Sequence, residues 1–295
     1  MELVLTLVSP DDATARTAAE RARQALAAAG AAVKAAKPLG EGAYDLPLIG
    51  DREAALAVVA TELDGLPVDA CVQAAADRKK RLLIADMDST IINVECIDEL
   101  ADFAGVKDRV SEITERAMRG ELDFEAALRE RVAMLKGLPV ADLQRAYDER
   151  VRLNPGARTL VQTMRSHARC LLVSGGFTFF TQRAAAAAGF HENRGNTLGI
   201  VGDRLDGTVW DTIIGREAKL ASLNAAMRVG GLLPQDTMAV GDGANDLAMI
   251  QAAGLGVAYR AKPIVAAQAH AKVDHADLTA LLYFQGYTAE EFVRD

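Results

Sequence analysis

The chain has few cysteines, few aromatic residues and no long apolar run. Its three cysteines are scattered over 295 residues without a CxxC pair, which argues against a zinc knuckle and a disulfide framework. Reduced thiols, as in a cytoplasmic protein, are therefore expected. Aromatic residues make up only 5% of the chain, so aliphatic and alanine side chains must build much of the core. No stretch approaches the roughly 20 apolar residues that a membrane-spanning helix needs.

Positive charge is also in short supply. Lysine and arginine number 33 against 41 acidic residues, which gives a net charge of −8. An acidic surface argues against nonspecific binding to nucleic acid or to anionic membranes. It leaves room for a local cationic pocket that takes a small anionic substrate.

Three short sequence signals are missing as well. The chain contains no GxxxxGK[ST] motif, and GDGAND at 241–246 lacks the third glycine of GxGxxG, so neither a P-loop nor a dinucleotide fold is predicted. The apolar run Leu3–Val8 has no basic segment before it and is followed by Pro10 and two acids. This pattern is not typical of an export signal, and a cytoplasmic location is expected.

Residues 1–76 are predicted to form a small α+β domain. An alanine-rich helix is expected to begin at the sequence Ser-Pro-Asp-Asp of residues 9–12 and to stop near Gly30, and Asp51 is expected to cap a second helix. The predicted strands are Glu2–Val8, Ala31–Lys37, Ala43–Ile49 and Val68–Val72. The order βαββαβ is that of ferredoxin-like modules. The charged stretch Asp77–Arg81 that follows is interpreted as a solvated linker.

Residues 77–295 are predicted to form a second, larger domain. Short apolar runs that read as buried strands are Leu82–Ala85, Cys170–Val173, Met238–Val240 and Leu255–Ala258. Continuous apolar strands that alternate with helices indicate a doubly wound, Rossmann-like parallel sheet with helices on both faces. Ligands of such sheets bind beyond the carboxyl ends of the strands.

A long helical insertion separates the first two of these strands. The helices predicted in it are Glu95–Ala104, Lys107–Met118, Asp123–Lys136 and Ala141–Val151. The insertion is too long for a simple crossover, so residues 94–154 are expected to form a helical cap over the strand ends. The later segment Leu198–Trp210 carries two turn signals and is predicted to be a β-hairpin.

Four carboxylates follow two of the predicted strands. Asp86 and Asp88 are two residues apart and can emerge on the same side of the chain, where they repel unless a cation or a shared proton neutralises them. Alone, such a pair is more often a cap or a turn. Asp242 and Asp246 follow another strand, and the oxygens of Asp86 and Asp242 are the ligands that Mg²⁺ prefers. Asp246 alone is also explained as a charge at a helix N-terminus.

Two weaker signals accompany the carboxylates. Ser174-Gly175-Gly176 ends a strand, and a small hydroxyl with free backbone amides suits a phosphate oxygen, although Gly-Gly after a strand is usually only a turn. Lys219 lies early in a predicted helix, Ala218–Val229, where a surface lysine is the ordinary interpretation.

Taken together, these residues resemble the four motifs of the haloacid dehalogenase-like phosphatases. DMDST at 86–90, SGG at 174–176, Lys219 and GDGAND at 241–246 occur in the order of that superfamily. Within it, ECIDELA at 95–101 and the stretch Arg119–Leu138 resemble the phosphoserine phosphatases. The resemblance spans Leu82 to about Phe284. The N-terminal part resembles ACT-type regulatory modules in element order only.

The resemblance implies Mg²⁺-dependent hydrolysis of O-phosphoserine to serine and phosphate, the last step of serine biosynthesis. Asp86 would be the nucleophile that forms an aspartyl-phosphate, and Asp88 the proton donor and then acceptor. The metal would be held by Asp86, Asp242 and the main-chain carbonyl of Asp88. Asp246 would orient the metal shell.

The resemblance also implies which residues contact the substrate. Those expected at the phosphoryl group are Ser174, Gly175, Lys219 and Asn245. Glu95 would pair with the substrate ammonium and Arg131 with its carboxylate. From the residues alone, Arg129 is an equal candidate, and the family pattern selects Arg131. Phe124 and Met118 are expected to pack in the core rather than to wall the substrate.

Two alternative functions use the same residues. A phosphotransferase would pass the phosphoryl group to an alcohol such as homoserine. A non-enzymatic amino-acid sensor would be led by the N-terminal module, but the intact set of acids and lysine argues against it. The module is expected to be dispensable for chemistry, so that a chain starting near Ala76 stays active. Its expected roles are regulation by an amino acid or dimer formation through its sheet, and the homodimer is favoured. The alternative is that the sheet packs on the catalytic domain and supports stability.

Overall fold

The computed structural model describes residues 1–118, 121–210 and 212–294, and of Met118 it describes the main chain. The strands in these ranges are β1 (Glu2–Val8), β2 (Ala32–Val33), β3 (Lys37–Gly40), β4 (Ala43–Ile49), β5 (Asp69–Ala74), β6 (Leu82–Ala85), β7 (Arg169–Phe177), β8 (Glu192–Asn196), β9 (Leu198–Val201), β10 (Arg204–Val209), β11 (Thr237–Gly241), β12 (Leu255–Tyr259) and β13 (Ala271–Val273). The helices are α1 (Asp12–Ala28), α2 (Arg52–Glu62), α3 (Cys96–Phe103), α4 (Lys107–Met118), α5 (Phe124–Met134), α6 (Val140–Arg150), α7 (Ala157–Met164), α8 (Thr178–Ala188), α9 (Arg216–Gly230), α10 (Leu247–Ala252), α11 (Pro263–Ala266) and α12 (Ala280–Phe284). No helix among the described residues is long and apolar enough to span a membrane.

The N-terminal strands form an antiparallel sheet in the order β2-β4-β1-β5, with β3 also paired to β4. Asp11 and Asp51 start the two helices by accepting the main-chain N–H groups of Thr14 and Ala54. The predicted strand Ala31–Lys37 is wrong, because β2 and β3 are separate short strands. Pro47 of β4 lies opposite the break. Its carbonyl oxygen accepts a hydrogen bond from the N–H of Lys34, but proline has no N–H group with which to donate the next hydrogen bond of the ladder.

The two faces of this sheet pack against different partners. Leu3, Leu5 and Leu7 of β1 lie in one apolar cluster with side chains of α1 and α2. Val8 and Cys71, on the opposite face, join a second cluster that includes residues of α12. The structure therefore has one face of the module's sheet packed on the catalytic domain, and the homodimer stays a prediction.

The charged junction at residues 77–81 is part of that interface. The interpretation of this stretch as a solvated linker is wrong, because Arg78 and Lys80 are largely buried. Arg78 forms a 2.5 Å ion pair with Asp45 and donates hydrogen bonds to Thr6 Oγ1 and to the carbonyl oxygen of Phe284. These charged side chains thus connect the N-terminal module to the catalytic domain, and the stretch is not a solvent-exposed linker.

The larger sheet is parallel in the order β13-β12-β11-β6-β7-β8, counted over the described residues. The predicted parallel sheet is confirmed, with β6, β7, β11 and β12 at its centre, and its buried aliphatic side chains pack against helices on both faces. The edge strands β8 and β13 were not predicted. The sequence of β8, ENRGN, is polar, and β13 has only three residues, so neither carries an apolar-run signal.

The helical insertion lies between β6 and β7. Helices α3 to α6 agree with the predicted bounds to within two residues. An antiparallel bridge between Ile92 and Leu153 joins the two chain segments that connect the insertion to the sheet. The predicted hairpin is also present as β9 and β10. Its second strand contacts α5, so the hairpin supports the cap from one side.

Candidate active site

A cavity of about 110 Å³ lies near the carboxyl ends of β6, β7 and β11. All predicted site residues line it except Lys219 and Asp246, which are fully buried behind it. The topology explains this convergence, because the three neighbouring parallel strands place their carboxyl ends at one edge of the sheet. Asp86 and Asp242, which follow β6 and β11, therefore meet Ser174 there; Ser174 lies inside β7, because that strand continues past the predicted end at Val173 to Phe177.

Lys219 of α9 is the buried cation of the site. Its Nζ lies 2.8 Å from Asp86 Oδ1 and 2.6 Å from Asp246 Oδ1. Burial acts to lower the pKa of this lysine, but Asp246 and Asp86 outweigh that effect and the pKa is raised. The surface position expected for Lys219 from its helix alone is therefore wrong, and its ammonium holds two of the predicted acids together.

Carboxylate oxygens of Asp86, Asp242 and Asp246 all lie within 4.8 Å of one another, and all three residues are buried. Burial raises the pKa of Asp246 to about 7 and that of Asp242 well above its usual value, and repulsion between the neighbouring acids adds to both shifts. A divalent cation would offset this repulsion, and an all-oxygen donor set is the one that Mg²⁺ prefers. The residues present therefore fit a magnesium site. The side chain of Asp88 is outside this cluster.

Asp88 also lines the cavity. Its Oδ1 accepts the N–H of Cys96 at 3.1 Å and its Oδ2 accepts the hydroxyl of Ser174 at 3.4 Å. Burial and, next, the charge of Glu95 raise its pKa to about 8. Gly176 is required beside it, because a Cβ there would lie 2.5 Å from Asp88 Oδ2. Asp88 is thus a carboxyl that can carry a proton at neutral pH.

Glu95 is held at the start of α3 by a strained neighbour. Ser89 has a φ of 55°, which is uncommon for a residue other than glycine. In this conformation its hydroxyl donates a 2.6 Å hydrogen bond to Glu95 Oε1. Burial raises the pKa of Glu95, so a cationic group that enters the cavity would be an effective partner for it.

The two candidate arginines of α5 have different surroundings. Arg131 is 6% exposed and lines the cavity, where its Nη1 donates a 2.9 Å hydrogen bond to Thr114 Oγ1. Arg129 is exposed and directs its Nη1 to the carbonyl of Val209. Burial lowers the pKa of Arg131, against the opposing effect of Asp98. Only the cavity-lining arginine can therefore reach a ligand beside Asp86.

Phe124 lines the cavity and does more than fill the core. A Cβ on Gly175 would lie 2.9 Å from Phe124 Cζ, and one on Gly215 would lie 3.1 Å from its Cδ1. The ring therefore lies close to two glycines. Phe124 packs on the core cluster, as expected, and also lines the cavity. The side chain of Met118, and residues Arg119 and Gly120 of the resembling stretch, lie outside the described residues.

Hydroxyl groups that sequence reasoning missed hold several of these side chains. Thr90 Oγ1 donates to Asp242 Oδ1 at 3.0 Å, Ser89 holds Glu95, and Thr114 holds Arg131. Ser89 and Thr90 belong to the DMDST motif, so their closeness to the acids was a usable signal. Thr114 lies in the middle of a cap helix and gives no sequence signal.

Comparison with known proteins gives the family of the chain. The family model described as haloacid dehalogenase-like hydrolase matches residues 83–251, which contain every predicted site residue. A solved structure of a haloacid dehalogenase family hydrolase from Salmonella enterica serovar Typhi superimposes with a TM-score of 0.82 at 26% identity, over 96% of this chain and 98% of that chain. The shared fold therefore includes the N-terminal module.

Two curated relatives named phosphoserine phosphatase are more similar in sequence. The protein from Polaromonas is 47% identical over 68% of this chain and 88% of its own length. The protein from Streptomyces coelicolor is 45% identical over 79% of this chain, which spans only 57% of that relative. The chain therefore belongs to the haloacid dehalogenase-like hydrolases and, within them, to the family of the phosphoserine phosphatases.

Proposed function

We propose that this protein hydrolyses O-phosphoserine to serine and phosphate with Mg²⁺ bound. The observation that carries the proposal is one cavity that is lined by Asp86, Asp88 and Ser174, and in which Glu95 and Arg131 supply charges of opposite sign. A phosphate ester of a zwitterionic amino acid matches all of these groups. The names of the relatives support the same substrate.

In the first step the carboxylate of Asp86 attacks phosphorus and the bond between phosphorus and the serine oxygen breaks. An aspartyl-phosphate forms, and Asp88 gives its proton to the departing serine oxygen. The raised pKa of Asp88, due first to burial, supports this role because the carboxyl keeps a proton at neutral pH.

In the second step Asp88, now a carboxylate, takes a proton from the water that attacks the aspartyl-phosphate. Phosphate leaves and Asp86 is regenerated as a carboxylate. When bound by Asp86, Asp242 and the main-chain carbonyl of Asp88, with Asp246 orienting the shell, Mg²⁺ supplies charge neutralisation between the anionic nucleophile and the anionic ester. Lys219 adds a fixed positive charge 2.8 Å from the carboxylate of Asp86.

Substrate recognition divides between the sheet and the cap. The groups assigned to the phosphoryl oxygens are Ser174, Gly175, Lys219 and Asn245. Glu95 pairs with the substrate ammonium, and Arg131 binds the carboxylate through its planar fork. Phe124 then shields the bound ester from water.

The remaining assignments concern the whole chain. We assign residues 1–76 to a ferredoxin-like, ACT-like domain and residues 77–295 to the phosphatase domain, with the cap at about 94–154. A cytoplasmic location and a place as the last step of serine synthesis stay predictions. So does a homodimer. One face of the N-terminal sheet packs on the catalytic domain and the other on α1 and α2, so a dimer through this sheet would use one of its edges.

A phosphate-release screen tests the proposal. The protein is incubated with phosphoserine, phosphothreonine, phosphohomoserine and sugar phosphates, with Mg²⁺ and after treatment with EDTA. Phosphoserine is expected to be the preferred substrate, and activity is expected to depend on added Mg²⁺. Addition of homoserine separates the alternative: unchanged phosphate release supports hydrolysis, and phosphohomoserine formed at the expense of phosphate contradicts it. Equal rates on all esters would contradict the assigned specificity.

A further inference from the structure

A buried carboxylate of the N-terminal sheet is bound by the catalytic domain. Asp69, at the start of β5, is 2% exposed. It accepts main-chain hydrogen bonds from Asp274 at 2.8 Å, from His275 at 3.2 Å and from Ala276 at 2.8 Å. Three successive N–H groups that converge on one carboxylate form an anion-binding nest. Here the anion is a side chain of the same protein.

The nest begins a short connection between β13 and α12, which we name the 274–279 segment. Within it, Asp277 Oδ1 accepts hydrogen bonds from the main-chain N–H and the hydroxyl of Thr279. The segment continues to the turn that ends the cap, because the N–H of Leu278 donates to the carbonyl of Pro155 at 3.1 Å.

The contact between the segment and that turn leaves no spare room. Gly156 has a φ of 78°, and a Cβ on it would lie 2.7 Å from Thr279 N and 2.8 Å from Asp277 Oδ1. A displacement of the 274–279 segment must therefore be passed to the turn at residues 154–156. Packed interiors transmit such shifts because they contain few voids.

From the turn, the connection reaches the catalytic loop. The side-chain amide of Asn154 donates to the carbonyl oxygens of Thr90 and Ile92 at 2.8 and 3.0 Å. The hydroxyl of Thr90 in turn donates to Asp242. The turn thus holds the loop that follows the DMDST acids and, through it, one of the three clustered carboxylates.

We propose that Asp69 is a positioning residue for catalysis: it fixes the 274–279 segment, and thereby the Asn154 turn and the Thr90–Asp242 contact. Only the kinetic part of the test below rests on the proposed function. It gives the N-terminal module a part in the geometry of the site, although no residue of the module lines the cavity.

Asp45 provides a matched control on the same face of the same sheet. It is also a buried carboxylate that joins the module to the catalytic domain, through Arg78. Arg78 binds the carbonyl oxygens of Tyr283 and Phe284 and makes no hydrogen bond to the 274–279 segment among the described contacts. Replacement of either carboxylate is expected to weaken the interface between the module and the catalytic domain. Only the replacement of Asp69 is expected to disturb the 274–279 segment.

The test compares hydrogen–deuterium exchange of the metal-free full-length proteins Asp69→Asn, Asp45→Asn and wild type. Asp69→Asn is expected to speed exchange at residues 274–279 and also at 90–94 and 153–157, and Asp45→Asn is not. In assays with phosphoserine and with p-nitrophenyl phosphate, Asp69→Asn is expected to lower kcat by about two- to tenfold, the effect of about one hydrogen bond. kcat should fall by a similar factor with both substrates, because the variant affects the site of the phosphoryl group and leaves the contacts to the amino-acid part of the substrate unchanged.

The variants separate positioning from stability. If Asp69→Asn does not fold, Thr279→Val loosens the 274–279 segment from within and is expected to give the same exchange pattern. Exchange changes confined to 274–276 with kcat unchanged would overturn the proposal, and so would an equal loss of kcat in Asp45→Asn. A wild-type protein inactive on phosphoserine would reject the proposed function, while the exchange pattern would still decide the positioning role.

Discussion

The ammonium of Lys219 lies 2.8 Å from the carboxylate of Asp86, and neither group has appreciable contact with solvent. Asp86 lines the cavity, so the ion pair holds a fixed positive charge next to the carboxylate that we assign as the nucleophile.

Asp88→Asn should slow phosphoserine hydrolysis by roughly 10²–10⁴-fold, the usual contribution of a general acid–base group. The defect with p-nitrophenyl phosphate should be smaller, because its leaving group departs with little protonation. Steady-state rates on both substrates give the comparison. Asp203→Asn, an exposed acid on the hairpin, is the control and should match wild type. Equal defects of Asp88→Asn on the two substrates would contradict the acid role.

The pH profile should carry the signature of the same residue. Burial and, next, the charge of Glu95 raise the pKa of Asp88 to about 8. Asp88 is therefore protonated at neutral pH and loses its proton as the pH rises through that value. kcat/KM for phosphoserine should therefore fall on the alkaline side, and that for p-nitrophenyl phosphate should fall less.

Glu95→Gln removes the second cause of the raised pKa. Its alkaline limb should move to lower pH, because one negative neighbour of Asp88 is gone. A limb that stays in place in this variant would assign the alkaline fall to another group.

Arg131→Lys should reduce kcat/KM for phosphoserine much more than for p-nitrophenyl phosphate, since lysine keeps the charge but loses the planar fork. Arg129→Lys, two residues away on the exposed side of α5, is the matched control and should leave both values near wild type. A proportional loss on both substrates in Arg131→Lys would show that the arginine acts on the phosphoryl group or on the fold.

A shortened chain that begins near Ala76 should aggregate or unfold at a lower temperature than the full chain. Removal of the sheet uncovers apolar side chains such as Phe284, which is fully buried, and takes Asp45 away from Arg78. Size-exclusion chromatography and thermal unfolding measure both effects. A monodisperse shortened chain with the Tm of the full chain would show that the interface contributes little.

The parts of the fold that carry an apolar signal were predictable. The runs that became β6, β7, β11 and β12 are aliphatic, and the first three are followed by an acid, serine or glycine, so sequence alone places the site at the ends of those three. The strand β8 has no such signal, because its residues are polar and lie at a sheet edge. The break between β2 and β3 lies opposite Pro47 of a different strand, which a local pattern does not reveal.

The site was predictable in its residues but not in its contacts. The burial of Lys219 follows from the side of α9 that meets the sheet, which one lysine in a helix does not disclose. The distinction between Arg129 and Arg131 likewise depends on how α5 is turned toward the cavity. Arg78 was misjudged because a run of charges looks solvated until its partner Asp45, 33 residues earlier, is brought to it.

The most direct test of the central claim is to locate the phosphoryl group on the protein during turnover. Wild-type protein with Mg²⁺ is mixed with phosphoserine labelled on phosphorus, quenched within one turnover, digested and analysed by peptide mass spectrometry. The label is expected on Asp86, and it should be absent from Asp86→Asn, which should release no phosphate. A label on another residue, or phosphate release by Asp86→Asn near the wild-type rate, would contradict the assignment of Asp86 as the nucleophile.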